Sequence, residues 1–180
     1  RHQGPGLPGR RGRYGPHGLV LGADGLLYVA VGCQTKPAAP VDPASPYRDP
    51  YEGDLVVPRY EDPDQELAQV RAPAGSILRL TPDGRQLQAV AGGLHDATDL
   101  AFDHLGELFA QDSEAAADVG TPWFRHAAVY HVLPGAEFGW RSGSAKWPDH
   151  FVDRLPPTLE TGRGQVTGMT FYHHYAFPEE

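Results

Sequence analysis

The sequence predicts an all-β chain, on three observations. Apolar, β-prone runs recur in pairs around tight turns, 22 glycines and 18 prolines punctuate the 180 residues, and helix signals are nearly absent. The first pair spans 18–31 and turns at Ala23-Asp24-Gly25, an Asp-Gly hairpin signal. A Pro-rich stretch without a convincing period follows at 33–74, long enough to be a covering or functional loop, or else disordered. A second hairpin covers 76–91 with Pro82-Asp83-Gly84 at its tip. The first pattern then returns at 99–110, turning at 103–106, and begins again at 168–177. Residues 112–118 are the one helix-like stretch, with Asp112 or Ser113 as a possible cap.

Positions 18, 99 and 168 open three copies of a weak repeat. Two hairpins per copy give four strands, the content of one propeller blade. Blades usually repeat at about 40–50 residues, so the wider spacing here implies insertions. The sequence therefore predicts an irregular segment at 1–13 and a partial β-propeller domain at 14–180, covering about two blades and the start of a third. Two blades cannot close a ring and would leave strand edges bare. The chain, which begins with Arg rather than Met, reads as a piece of a larger propeller.

The formal charge is −8. The basic cluster Arg10-Arg11-Gly12-Arg13 is short, so nucleic acid is not an expected partner. No apolar run approaches the length that spans a bilayer, and no signal peptide is apparent. The lone Cys33 forms no intrachain disulfide and has no electropositive setting in the sequence to make it reactive. Nucleophile-elbow, zincin and phosphate-loop patterns are absent.

Tyr14 and His17 lead into the first hairpin; Trp123-Phe124-Arg125, Gly139-Trp140-Arg141, Lys146-Trp147-Pro148, Leu155-Pro156-Pro157 and Thr167-Gly168-Met169 follow in order. With these motifs the chain resembles the propeller dehydrogenases related to soluble quinoprotein glucose and L-sorbosone dehydrogenases, and bacterial membrane-bound dehydrogenase propellers fused to cytochrome c segments. The resemblance implies a six-bladed ring that binds pyrroloquinoline quinone (PQQ) and Ca²⁺ over its axis. It implies a His that takes a hydroxyl proton as hydride passes to the quinone, a sugar or polyol as substrate, a possible cytochrome c domain in the full-length chain, and a periplasmic or cell-surface location. In such enzymes the cofactor supplies the hard chemistry and the protein supplies orientation and charge.

Carried over residue by residue, the match is incomplete. The family's base falls at Tyr14, a phenol that is a poor base at neutral pH; His17 matches a His of the closer relatives. Where the family has Arg-Asn-Pro, this chain has His95-Asp96-Ala97, exchanging a fixed cation for a titratable ring and a carboxylate. The candidate catalytic residues are thus His17 and Tyr14, and the candidate cofactor-binding residues are His95, Asp96, His131 and Arg125. Asp112, Glu114 and Asp118 offer oxygen ligands of the kind Ca²⁺ takes. Each has a plainer reading: a hydrogen-bonded structural His for His17, loop polarity for His95 and Asp96, a half-buried strand His for His131, a solvated loop or helix start for the three acids. Trp140, Arg141, Lys146 and Trp147 read mostly as scaffold, and His173 and His174 would face opposite sides of a strand. Because the departures gather at pocket positions, the functional alternative to a dehydrogenase is a catalytically inactive propeller that binds a glycan or a protein, or a purely structural one.

Overall fold

A computed structural model describes residues 14–37, 39–54, 58–61, 66–174 and 176. The segment 1–13, with its basic cluster, lies outside the described residues, as do Tyr175 and Phe177 of the third repeat copy. Eight strands form two antiparallel sheets of four. The first holds β1 (Pro16–Leu21), β2 (Leu27–Val31), β3 (Gly75–Leu80) and β4 (Leu87–Leu94), in sequence order. The second holds β5 (Ala97–Phe102), β6 (Leu108–Asp112), β7 (Ala127–His131) and β8 (Leu159–Gly162), again in order. These are the expected two blades.

The Asp-Gly turns form for a local reason. Asp24 accepts the Leu26 N–H at 3.0 Å and the Tyr28 hydroxyl at 2.8 Å, while Gly25 takes φ +79. At the 103–106 turn, Asp103 likewise accepts the N–H groups of Leu105 and Glu107.

The repeat also fixes how the blades meet. Tyr28 of β2 meets Phe102 of β5 edge-on at 5.3 Å between ring centres. One copy further on, Phe109 of β6 meets Phe171 at 5.1 Å. Phe109 stands where Tyr28 does in its blade, and Phe171 stands where Phe102 does. Residues 168–174 thus lie where the inner strand of a third blade belongs, although the structure assigns them no strand. Gly18, Asp99 and Gly168, the three repeat positions, converge. A Cβ on Gly18 would lie 2.8 Å from the Asp99 Cα, a Cβ on Gly168 would lie 3.8 Å from Asp99 Oδ2, and that oxygen accepts the Met169 N–H at 2.8 Å. The segments opening successive sheets therefore gather at one centre, with the main core between the blades: Tyr28, Ile77, Val90 and Leu94 against Leu100, Leu108, Tyr130 and Phe138.

Two expectations change. The helix-like stretch 112–118 is strand and loop, with only a 3-10 turn at Ala116–Asp118. The second hairpin of blade two, β7–β8, is split by the excursion 132–158, and its edge strand β8 is largely exposed.

The described residues of 33–74 contain no strand or helix but are well tied down. Asp42 and Tyr47 donate their N–H groups to the Leu87 and Ala89 carbonyls on the outer edge of β4, and 135–138 covers the same edge further along. This cover blocks edge-to-edge pairing. Loop and excursion are clasped by Arg141, which is fully buried and forks onto both Glu137 oxygens at 3.1 Å. Arg141 also bonds the Glu52 and Tyr51 carbonyls, while the Tyr47 hydroxyl donates to Glu137 at 2.6 Å. Trp140, Arg141, Lys146 and Trp147 are all buried, as a mostly scaffold reading expects.

Candidate functional site

At one end of the two blades, a cavity of about 110 Å³ opens where three chain segments meet. Tyr14 precedes β1, Asp96 and Thr98 enter β5, and Ser113 and Glu114 leave β6; residues 165–167 close the remaining side. The wall carries the hydroxyls of Tyr14, Thr98, Ser113 and Thr167 and the carboxylates of Asp96 and Glu114, with Ala116, Gln165 and Val166 between them.

The junction between β4 and β5 is pinned from below. Asp112, at the end of β6, accepts the His95 N–H through Oδ2 at 2.9 Å and the Asp96 N–H through Oδ1 at 2.7 Å. Burial pushes the Asp112 carboxyl up to about 7, against the pull of those two donors. The His95 ring is buried between Tyr14, 4.7 Å away, and Trp140, 5.0 Å away, with Nδ1 3.1 Å from the Ser113 carbonyl. Tyr14 and His95 occupy matching positions in the repeat, so their contact follows from the inner strands lying side by side. His95 supports the cavity floor and is not in its lining.

His17 and Asp96 form a close pair beside the cavity. Nε2 of His17 lies 2.9 Å from Oδ1 of Asp96; the His side chain is about one-third exposed (34%) and the Asp nearly buried (11%). Burial raises the Asp96 carboxyl, and the neighbouring His17 opposes that rise. The contact holds the His17 ring against the carboxylate in one orientation.

Other candidates lie elsewhere. Arg125 is turned inward onto the Phe138 and Trp147 carbonyls, and burial with the charge of Arg154 lowers its guanidinium to about 10. It lines a recess of about 10 Å³ beside Asp112 and Asp118, room for one water. His131 sits at the far end of β7, 2.7 Å from Glu107 and stacked on Phe109, and does not reach the cavity. The three acids do not converge. Asp112 holds the two N–H groups, Glu114 faces the cavity, and Asp118 is buried against Lys146 at 2.8 Å and Trp123 Nε1 at 3.1 Å. Among the described residues, no three His, Cys, Asp or Glu side chains are grouped to hold a metal ion. Cys33 is buried, and burial together with the charges of Asp96 and Asp112 raises its thiol well above the ordinary value. Among the described residues no helix is long and apolar enough to cross a membrane.

Sequence reasoning missed Thr98, Ser113 and 165–167 as lining residues. Thr98 had a signal, since it lies two residues after Asp96 at the start of a strand and so on the same face. Thr167 belongs to a family-like motif, but Gln165 and Val166 carried no signal.

No known family and no curated protein matches the chain. Solved structures do. One is an oxidoreductase (glucose dehydrogenase) from Thermus thermophilus, at 23% identity and a TM-score of 0.52, over 86% of this chain and 41% of that one. Another is the PQQ-bound form of an aldose sugar dehydrogenase from Streptomyces coelicolor, at 18% identity and a TM-score of 0.49, over 82% of this chain and 36% of that one. The chain thus spans about two-fifths of the length of these structures. The Thermus likeness agrees with the architecture read above, two blades of a propeller.

Proposed function

We propose that this chain contributes two blades to a dehydrogenase-like propeller whose axial cavity binds a sugar or polyol by its hydroxyls, with His17 taking up the hydroxyl proton while the hydride passes to a two-electron acceptor bound outside this cavity. The observation that carries this reading is the His17–Asp96 pair at the rim of a concave, hydroxyl-lined end where the strands opening both blades meet. An Asp that orients an imidazole and stabilises its protonated form is the arrangement general-base chemistry uses. Tyr14, Thr98 and Ser113 bring hydroxyl-bearing side chains to the lining, suited to a hydroxyl ligand.

The quinone that the sequence resemblance implies fits these residues poorly. PQQ is a tricarboxylate, whereas the described wall carries two carboxylates, Asp96 and Glu114, and no cation. Among the described cations, Arg125 is turned onto backbone carbonyls, Arg141 onto Glu137 and Lys146 onto Asp118, while Arg163 stands beside Glu114 at 3.9 Å. The cavity also lies well below the roughly 300 Å³ of a drug-sized ligand site. No step is therefore derived through the quinone or through Ca²⁺. The acidic wall favours a second reading, in which the cavity holds a glycan without turning it over.

Calorimetry of the intact protein against an aldose and polyol panel, with dye-linked oxidation measured in the presence and absence of PQQ and Ca²⁺, separates these readings. Oxidation lost in His17→Ala supports the first, binding without oxidation supports the second, and no binding refutes both. Export to the periplasm or cell surface and electron delivery to a cytochrome c domain belong to the first reading; cell fractionation and reduction of an added cytochrome c test them.

A further inference from the structure

Resting on that reading, we infer that the axial cavity discriminates by charge, accepting neutral sugars and polyols and rejecting carboxylate-bearing ligands, sugar acids and the tricarboxylate quinone alike, and that Glu114 sets the discrimination. The ground is the mismatch between an anionic ligand and this wall.

Glu114 lines the cavity and its side chain is only 10% exposed, so its charge is poorly screened. Its polar partners are the Gly164 N–H at 3.4 Å and Arg163 Nε at 3.9 Å. Arg163 is the cation that stands at this rim among the described residues, and its side chain is 62% exposed. An incoming carboxylate would therefore meet Glu114 directly and would have to compete with it for Arg163. Asp96, also in the lining, is engaged by His17 and adds a second carboxylate. A neutral hydroxyl meets the same oxygens as hydrogen-bond acceptors. Like charges brought together against such a wall are how an interface rejects the wrong partner.

The test compares neutral and acidic ligands of the same size on the intact protein: glucose and glucitol against glucuronate and gluconate, with PQQ as a third probe, by calorimetry at neutral pH. The neutral ligands should bind at least about tenfold more tightly than the acids, a gap of one decade in Kd, and PQQ should show no saturable binding. Glu114→Gln keeps the acceptor oxygen, removes the charge and frees Arg163, and should narrow the gap several-fold by strengthening acid binding. Raising the salt from about 0.05 to 0.5 M should narrow it in the unaltered protein, a readout that needs no variant to fold. Equal binding of acids and neutral sugars, or saturable quinone binding, overturns the inference and leaves sugar binding standing. Failure of every sugar to bind overturns the proposed function and the inference together.

Discussion

Replacing Asp112 by Asn tests how the site is held together. In the native chain both carboxylate oxygens accept backbone N–H groups, from His95 and from Asp96. An amide presents one acceptor and one NH₂, so one of those buried N–H groups loses its partner and faces another donor. An unsatisfied buried group costs about 1–3 kcal/mol, and the apposed donors put the penalty near the upper figure. The penalty should also depend on pH, with a definite sign. The carboxyl titrates at about 7 in the fold against an ordinary value of 3.8, so the folded state holds its proton more tightly. Its contribution is fully present below about pH 4 and is lost as pH rises through 7. At about 1.4 kcal/mol per unit, that swing is on the order of 4 kcal/mol at most. Urea denaturation of the intact protein from pH 4 to 8.5 is the assay. The gap between wild type and Asp112→Asn should be widest near pH 4–5 and narrowest above pH 8. A gap that grows with pH would mean that the two N–H donors outweigh burial, and the reasoning would be wrong.

Other outcomes follow from the same structure. Arg141→Ala strands the buried Glu137 charge and unties the long loop from the excursion, and should cost about 3–5 kcal/mol by chemical denaturation. Gly18→Ala places a methyl 2.8 Å from the Asp99 Cα, where backbone and not a flexible side chain must yield; a loss of about 1–3 kcal/mol, with weakened sugar binding, is expected from overpacking at the centre. His17→Ala removes the group that opposes the burial-driven rise of the Asp96 carboxyl and should push its titration to higher pH, read by NMR of the carboxyl carbon.

Much of the fold was written locally. Asp24, Asp83 and Asp103 each sit in a tight turn followed closely by Gly, and the apolar alternation of 27–31 and 108–110 set the second strand of each blade. The Tyr28 and Phe109 equivalence shows that the repeat carried tertiary information as well. β8 left no trace because an exposed edge strand, Leu159–Gly162, has no buried face to impose alternation. The 112–118 stretch misled because its alanines favour a helix in isolation, while Asp112 is consumed by the sheet and Asp118 by Lys146. The site was only half legible. Tyr14, His17, His95 and Asp96 were singled out and do gather, but the pairing of His17 with Asp96 spans 79 residues and has no local signature. His131 and Arg125 could not be placed from sequence, because strand register sent one to the far end of β7 and burial turned the other onto carbonyls.

The most direct test of the account is a crystal structure of the intact protein soaked with glucitol. The account predicts radially arranged blades, His17 in contact with Asp96, and the polyol lying in the cavity with hydroxyls on Asp96, Thr98 or Glu114. Sheets stacked face to face, or His17 and Asp96 held apart with the polyol bound elsewhere, would contradict it.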